Sequence, residues 1–327
     1  MADLEESIIA VEFFLKDRGF NLNDIITSTG FERNRLIDDA KEAVNENDET
    51  RKRFEIMSRE VFKKFKACFA FREIINKFLK QYEAINIVYK SIKKDEEKAD
   101  ISDIIKELHS VIDESVTTRS FSDSNVNIKE STVYDISKID FDRLRKEFGK
   151  SKKKNTTVQT LKEVIEKRLN KMLMENPLRT DFQKHYEEII AEYNSEKDRV
   201  TIEKTFEALM KYYASMDEEE KRAVREGLED QDTLALYDLL RKPDLSKKDI
   251  EKLKKVAKEL LQLIQAKKQK IDNWKEKQVT RDQIKVLIKD FLWDGEKGLP
   301  DSYTHEDIEF KTEEVFAHVY NSVAQHK

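Results

Sequence analysis

The stretch Arg72-Glu-Ile-Ile-Asn-Lys-Phe-Leu-Lys-Gln-Tyr-Glu-Ala-Ile-Asn-Ile-Val-Tyr-Lys-Ser-Ile-Lys-Lys94 decides the fold. Ile74, Phe78, Tyr82, Ile85, Tyr89 and Ile92 recur at three- and four-residue steps, so they line one face of a 3.6-residue period. No Gly or Pro occurs between Thr50 and Lys94, and nothing there forces a break. The spacing predicts one long amphipathic helix or a kinked pair. Downstream, Ile101, Ile104, Ile105, Leu108 and Ile112 keep the period. Thr117 to Thr132 is rich in Ser, Thr and Asn, which marks a linker or ordered loop. Val126, Ile128 and the Val133-Tyr134 pair could form a short strand, but no convincing pairing partner follows.

Composition extends this reading to the whole chain. Gly (6) and Pro (3) are far below ordinary usage while 39 % of the 327 residues are charged, as in long surface-rich helices. We expect an all-α, multi-helix bundle with two helical subdomains: an N-terminal segment 1–116, a linker 117–135 and a C-terminal domain 136–327. Helix starts are predicted where a capping side chain is followed three residues later by Gln, Asp or Glu: Thr180 with Gln183, Asp217 with Glu220, Ser246 with Asp249, and Thr280 with Gln283. Pro177 and Pro243 lie just upstream of two of them. Ile250, Leu253, Ala257, Leu260, Ile264 and Ile271 run close to a 3.5-residue period, interrupted by Lys267. This predicts a long helix in an antiparallel bundle.

The 62 basic and 67 acidic residues nearly cancel, so any contact with nucleic acid must be local. Lys150, Lys152, Lys153 and Lys154 form one basic cluster, compatible either with phosphate contact or with a solvated loop between helices. A second lies between Lys247 and Lys277, where eleven Lys face five acids; Asp217 to Asp232 instead holds eight acids and three basic residues. Such alternation suits matching to a partner or between helices. Candidate partner or DNA contacts in the second cluster are Lys254, Lys255, Lys267, Lys268 and Lys270.

No catalytic, cofactor-binding or metal-binding residue is assigned. The glycines form neither a P-loop nor a dinucleotide fingerprint, and the histidines make no H-E-x-x-H. The pairs His185 with Glu188 and Glu314 with His318 are read as surface contacts. Cys68, between Phe65 and the Phe69 and Phe71 side chains, is expected to be a packed thiol. Pro300-Asp301 followed by Glu309-Phe310-Lys311 spells a short form of a nuclease signature. That chemistry needs carboxylates converging from adjacent strands, whereas Glu309 and Lys311 fall on a helix after a cap at Thr304, about 200° apart. The N-terminus is acidic and no apolar run reaches the roughly 20 residues of a membrane span, so a cytoplasmic location is expected.

Several stretches resemble the C-terminal helical region of Type I restriction-enzyme R subunits. They are Tyr82 to Lys90, Tyr134 to Phe141, Asn176-Pro-Leu-Arg-Thr-Asp-Phe182 with His185-Tyr-Glu-Glu188, and Asp290-Phe-Leu-Trp293 running to Leu299-Pro-Asp-Ser-Tyr303. Residues 1–49 match less clearly. The resemblance implies a larger subunit with a nuclease domain and two translocase domains, using ATP and Mg²⁺ to pull and cleave DNA. It also implies docking on a core of modification and specificity subunits, with this chain supplying a non-catalytic part. The alternative is a free-standing helical nucleic-acid-binding or regulatory scaffold.

Overall fold

The computed structural model describes residues 2–69, 71–101, 103–105, 108, 141–195, 199–271 and 273–322. Its helices are α1 (Ala2–Asp17), α2 (Leu22–Thr27), α3 (Gly30–Val44), α4 (Asp48–Ala67), α5 (Arg72–Lys98), α6 (Phe141–Lys150), α7 (Lys154–Glu175), α8 (Thr180–Ser195), α9 (Arg199–Glu220), α10 (Arg222–Arg225), α11 (Gln231–Leu240), α12 (Lys247–Lys268), α13 (Gln278–Trp293) and α14 (His305–Ser322). Helix makes up 81 % of the structure and no strand occurs among the described residues, so the fold is all-α. No described helix is long and apolar enough to cross a membrane. The expected linker 117–135, with its possible strand, lies outside the described residues.

The described chain gathers into two compact units. The first comprises Met1–Glu166 and Tyr186–Ala214, the second Lys167–His185 and Ser215–Lys327. In the first, the uninterrupted stretch from Thr50 to Lys94 folds as the pair α4 and α5, parted by a turn at Cys68. Phe78, Ile85 and Ile92 are buried, and Ile74, Tyr82 and Tyr89 pack against the same core, as the period requires. Phe65 stacks on Tyr82 at 4.1 Å, and Phe62 meets Tyr82 and Tyr89 edge-on. Cys68 is only partly buried, and Phe69 and Phe71 point outward, because the turn lifts them off the core face.

In the second unit, Leu253, Val256, Ala257, Leu260 and Ile264 of α12 are buried against a core shared with α11, α13 and α14. Ser246 forms the expected reciprocal cap: its hydroxyl accepts from Asp249 N at 3.2 Å, and the Asp249 carboxylate accepts from Ser246 N. Thr304 and Asp307 do the same ahead of α14. Two expected starts are corrected. Asp217 lies inside α9, where acids near a helix C-terminus are unfavourable. Arg168 offsets this by bonding both Asp217 and Glu220. Thr280 sits in the first turn of α13, and its hydroxyl donates to the carbonyls of Trp274 and Lys277, so it caps no N–H group there.

The segment after α13 shows why Leu299 to Tyr303 keeps its form. Asp294 accepts from the N–H groups of Glu296 and Lys297, and Leu299 N returns to the Leu292 carbonyl at 3.0 Å. A Cβ on Gly298 would lie about 2.5 Å from the carbonyl oxygens of Asp294 and Leu292, so only glycine fits this turn. Tyr303 then donates its hydroxyl to the Leu240 carbonyl at 2.6 Å in the interior.

Candidate functional site

The two basic clusters have different surroundings. In the first unit, Lys150 ends α6 and Lys152 follows it, both exposed. Lys153 pairs with Asp38 at 3.1 Å and Lys154 with Glu203 at 2.8 Å. Glu42 of α3 supplies the cap that α7 lacks locally, accepting from Asn155 N at 2.6 Å and Thr156 N at 2.9 Å. Burial pushes the Glu42 carboxyl above its usual range, although those two N–H groups oppose the shift. Burial also works against the Asp38 charge, but Lys41 and Lys153 outweigh it and hold that carboxyl low. Farther along α7, Lys162 is almost wholly buried against Asp48, over the ring of Tyr193. Most of this basic run therefore fastens α7 to other helices of its own unit.

In the second unit, Lys254 reaches Glu226 at 3.4 Å and Lys258 bonds Glu229, so part of the basic helix matches the acidic segment internally. Lys255 and Lys270 are exposed, while Lys267 and Lys268 are half-buried. Lys268 lies over the Trp274 ring at 5.9 Å. Lys275 sits over the same ring at 5.9 Å and over Tyr320 at 5.2 Å. Burial, and then the neighbouring charge of Lys275, push the Lys268 ammonium below its ordinary pKa.

The motif Asn176 to Phe182 forms a buried polar joint in the second unit. Asn176 donates to Asp238 at 2.6 Å and accepts from Leu178 N at 3.1 Å. Arg179, 4 % exposed, donates to Glu219 at 3.1 Å and Gln231 at 2.7 Å. Arg222 bonds both Glu219 and Asp238. Their positions in sequence carried no sign of this meeting, since the partners lie 40 to 62 residues away. The joint opens on a cleft of about 470 Å³ bordered by Arg241 and Lys242.

The nuclease-like residues do not converge. Glu309 bonds Lys289, Lys311 pairs with Glu314 at 2.7 Å, and Asp301 lies in an exposed turn. Among the described residues no group of three or more His, Cys, Asp or Glu is placed to hold a metal ion. His305 stacks on Trp293 at 4.5 Å, and His318 is partly buried, which holds its imidazole below the usual range.

Fold and site together define an all-helical module braced by internal charge networks. Its family is specific: residues 2–325 match the C-terminal region described as Type I restriction enzyme HindI endonuclease subunit-like, and the chain belongs to that family. No curated protein and no solved structure matches it.

Proposed function

We propose that the chain is the non-catalytic helical C-terminal part of a Type I R subunit. In this reading it docks the subunit on the methyltransferase core of modification and specificity subunits and supports ATP-dependent translocation and cleavage by the whole enzyme in the cytoplasm. The observation that carries the reading is the family match across residues 2–325. The charge networks fit it, because Arg179, Lys162 and Glu42 are spent on holding helices in place. ATP and Mg²⁺ then belong to other domains of such a subunit. Lys150, Lys152, Lys255 and Lys270 stand exposed and suit electrostatic steering toward the core, whereas Lys254 is engaged by Glu226.

The test is a titration of this chain against the assembled core by interferometry, without ATP and at two salt concentrations. Binding that weakens with salt is expected. A correctly folded chain that does not bind at either concentration would sink the docking role.

A further inference from the structure

Buried and half-buried cations of this protein usually have a carboxylate beside them: Lys41 has Asp38 and Asp95, Lys93 has Glu55 and Glu96, Lys154 has Glu203, and Lys311 has Glu314. The corner between α12 and α13 breaks this habit. Lys267, Lys268, Lys270, Lys275 and Lys277 form no ion pair among the described residues, and Arg281 spends a guanidinium N–H on the Lys275 carbonyl at 2.8 Å. Glu276 is the one described carboxylate between Gln265 and Arg281. Two of these ammonium groups, on Lys268 and Lys275, both lie over the Trp274 ring, and Lys275 also lies over Tyr320, whose ring meets Trp274 edge-on at 6.1 Å. Ring faces attract such charges but do not neutralise them.

We infer that the α12–α13 corner is a binding site for the phosphodiester backbone of duplex DNA, with Lys268 and Lys275 as its central contacts and Lys267, Lys270 and Lys277 beside them in sequence. Like charges held close together at partial burial oppose folding, and an incoming phosphate removes that opposition while releasing counterions. Lys268 carries part of this opposition: burial and then Lys275 disfavour its charge and outweigh Asp232, which favours it without pairing with it. Backbone rather than base contact follows from the aromatics: Trp274 is 5 % exposed and offers no face on which a base could stack. A protein partner would favour an apolar centre, but Tyr320 is packed against Trp274 and Phe316, and Val279 is the exposed large apolar side chain among described residues 267–281. This inference goes beyond the docking role and does not depend on it.

The experiment measures binding of a fluorescent duplex by anisotropy across a salt series. It compares the full chain, Lys268→Gln/Lys275→Gln, and the control Lys247→Gln/Lys248→Gln at the exposed start of the same helix. The corner pair should weaken binding at least about tenfold at low salt and lower the salt slope by about two, while the control changes it far less. Retained thermal stability of the corner variant keeps the comparison valid, and it is the expected outcome because relief of the like-charge repulsion offsets the lost ring contacts. Equal loss in both variants, no loss in the corner variant, or no binding by the folded full chain would overturn the site. Displacement of the duplex by polyglutamate at equal charge would also overturn it, in favour of an acidic protein.

Discussion

The run from Lys150 to Lys162 and the run from Lys267 to Arg281 are both basic, yet one is tied into the fold by carboxylates and the other has no ion pair among the described residues. In the first, Lys153, Lys154 and Lys162 each meet a carboxylate, from Asp38, Glu203 and Asp48. In the second, Lys268 and Lys275 lie over Trp274, and neither they nor Lys267, Lys270 and Lys277 form an ion pair among the described residues. A lysine count therefore carries no function by itself. What separates the two runs is where the neutralising charge resides, inside the chain or outside it.

The largest expected effect lies in the first run. Lys162→Ala should lower the unfolding free energy by about 2 kcal/mol in a urea titration, somewhat less than a fully buried pair would cost because Asp48 keeps part of its water. A loss near zero would break the comparison. Acid should act on the same contact. Burial opposes the Asp48 charge, but Lys162 and its hydrogen bonds prevail and depress the folded pKa below the ordinary 3.8. The stabilisation is thus complete above that value and is lost as pH falls through the folded one, so wild type should lose stability there while Lys162→Ala changes less.

A smaller effect is expected from Glu42→Ala, which removes the two bonds capping α7. The expected cost is about 1 kcal/mol, typical of a lost N-cap and offset in part by the relief of a carboxylate disfavoured by burial. Amide exchange sharpens the point, since protection should fall first at Asn155 and Thr156. Unchanged exchange at those amides would remove Glu42 from the cap.

Much of the fold was legible because its signals are local. The Ile74 to Ile92 period, the core stripe of α12, and the Ser246 and Thr304 caps all act within a turn or two of helix. Asp217 misled for a physical reason: its capping pattern is genuine, but Arg168, 49 residues away, bonds it inside α9. The two lysine runs looked alike for the same kind of reason. Glu42 meets Asn155 across 113 residues and Lys154 meets Glu203 across 49, and no spacing rule reaches so far. The motif Asn176 to Phe182 was recognisable as a family feature, while its work as a polar joint appeared only when Asp238, Glu219 and Gln231 came beside it.

Thermal unfolding of two double variants, side by side, tests most directly whether one lysine run serves the fold and the other a partner. Lys153→Gln/Lys154→Gln should lower the melting temperature by a few degrees, as expected for the loss of two partly exposed ion pairs worth about 1 kcal/mol together. Lys268→Gln/Lys275→Gln should leave it nearly unchanged, because the relief of like-charge repulsion offsets the lost contacts with the Trp274 and Tyr320 rings and no ion pair is lost. A lower melting temperature for the second variant with none for the first would contradict the account.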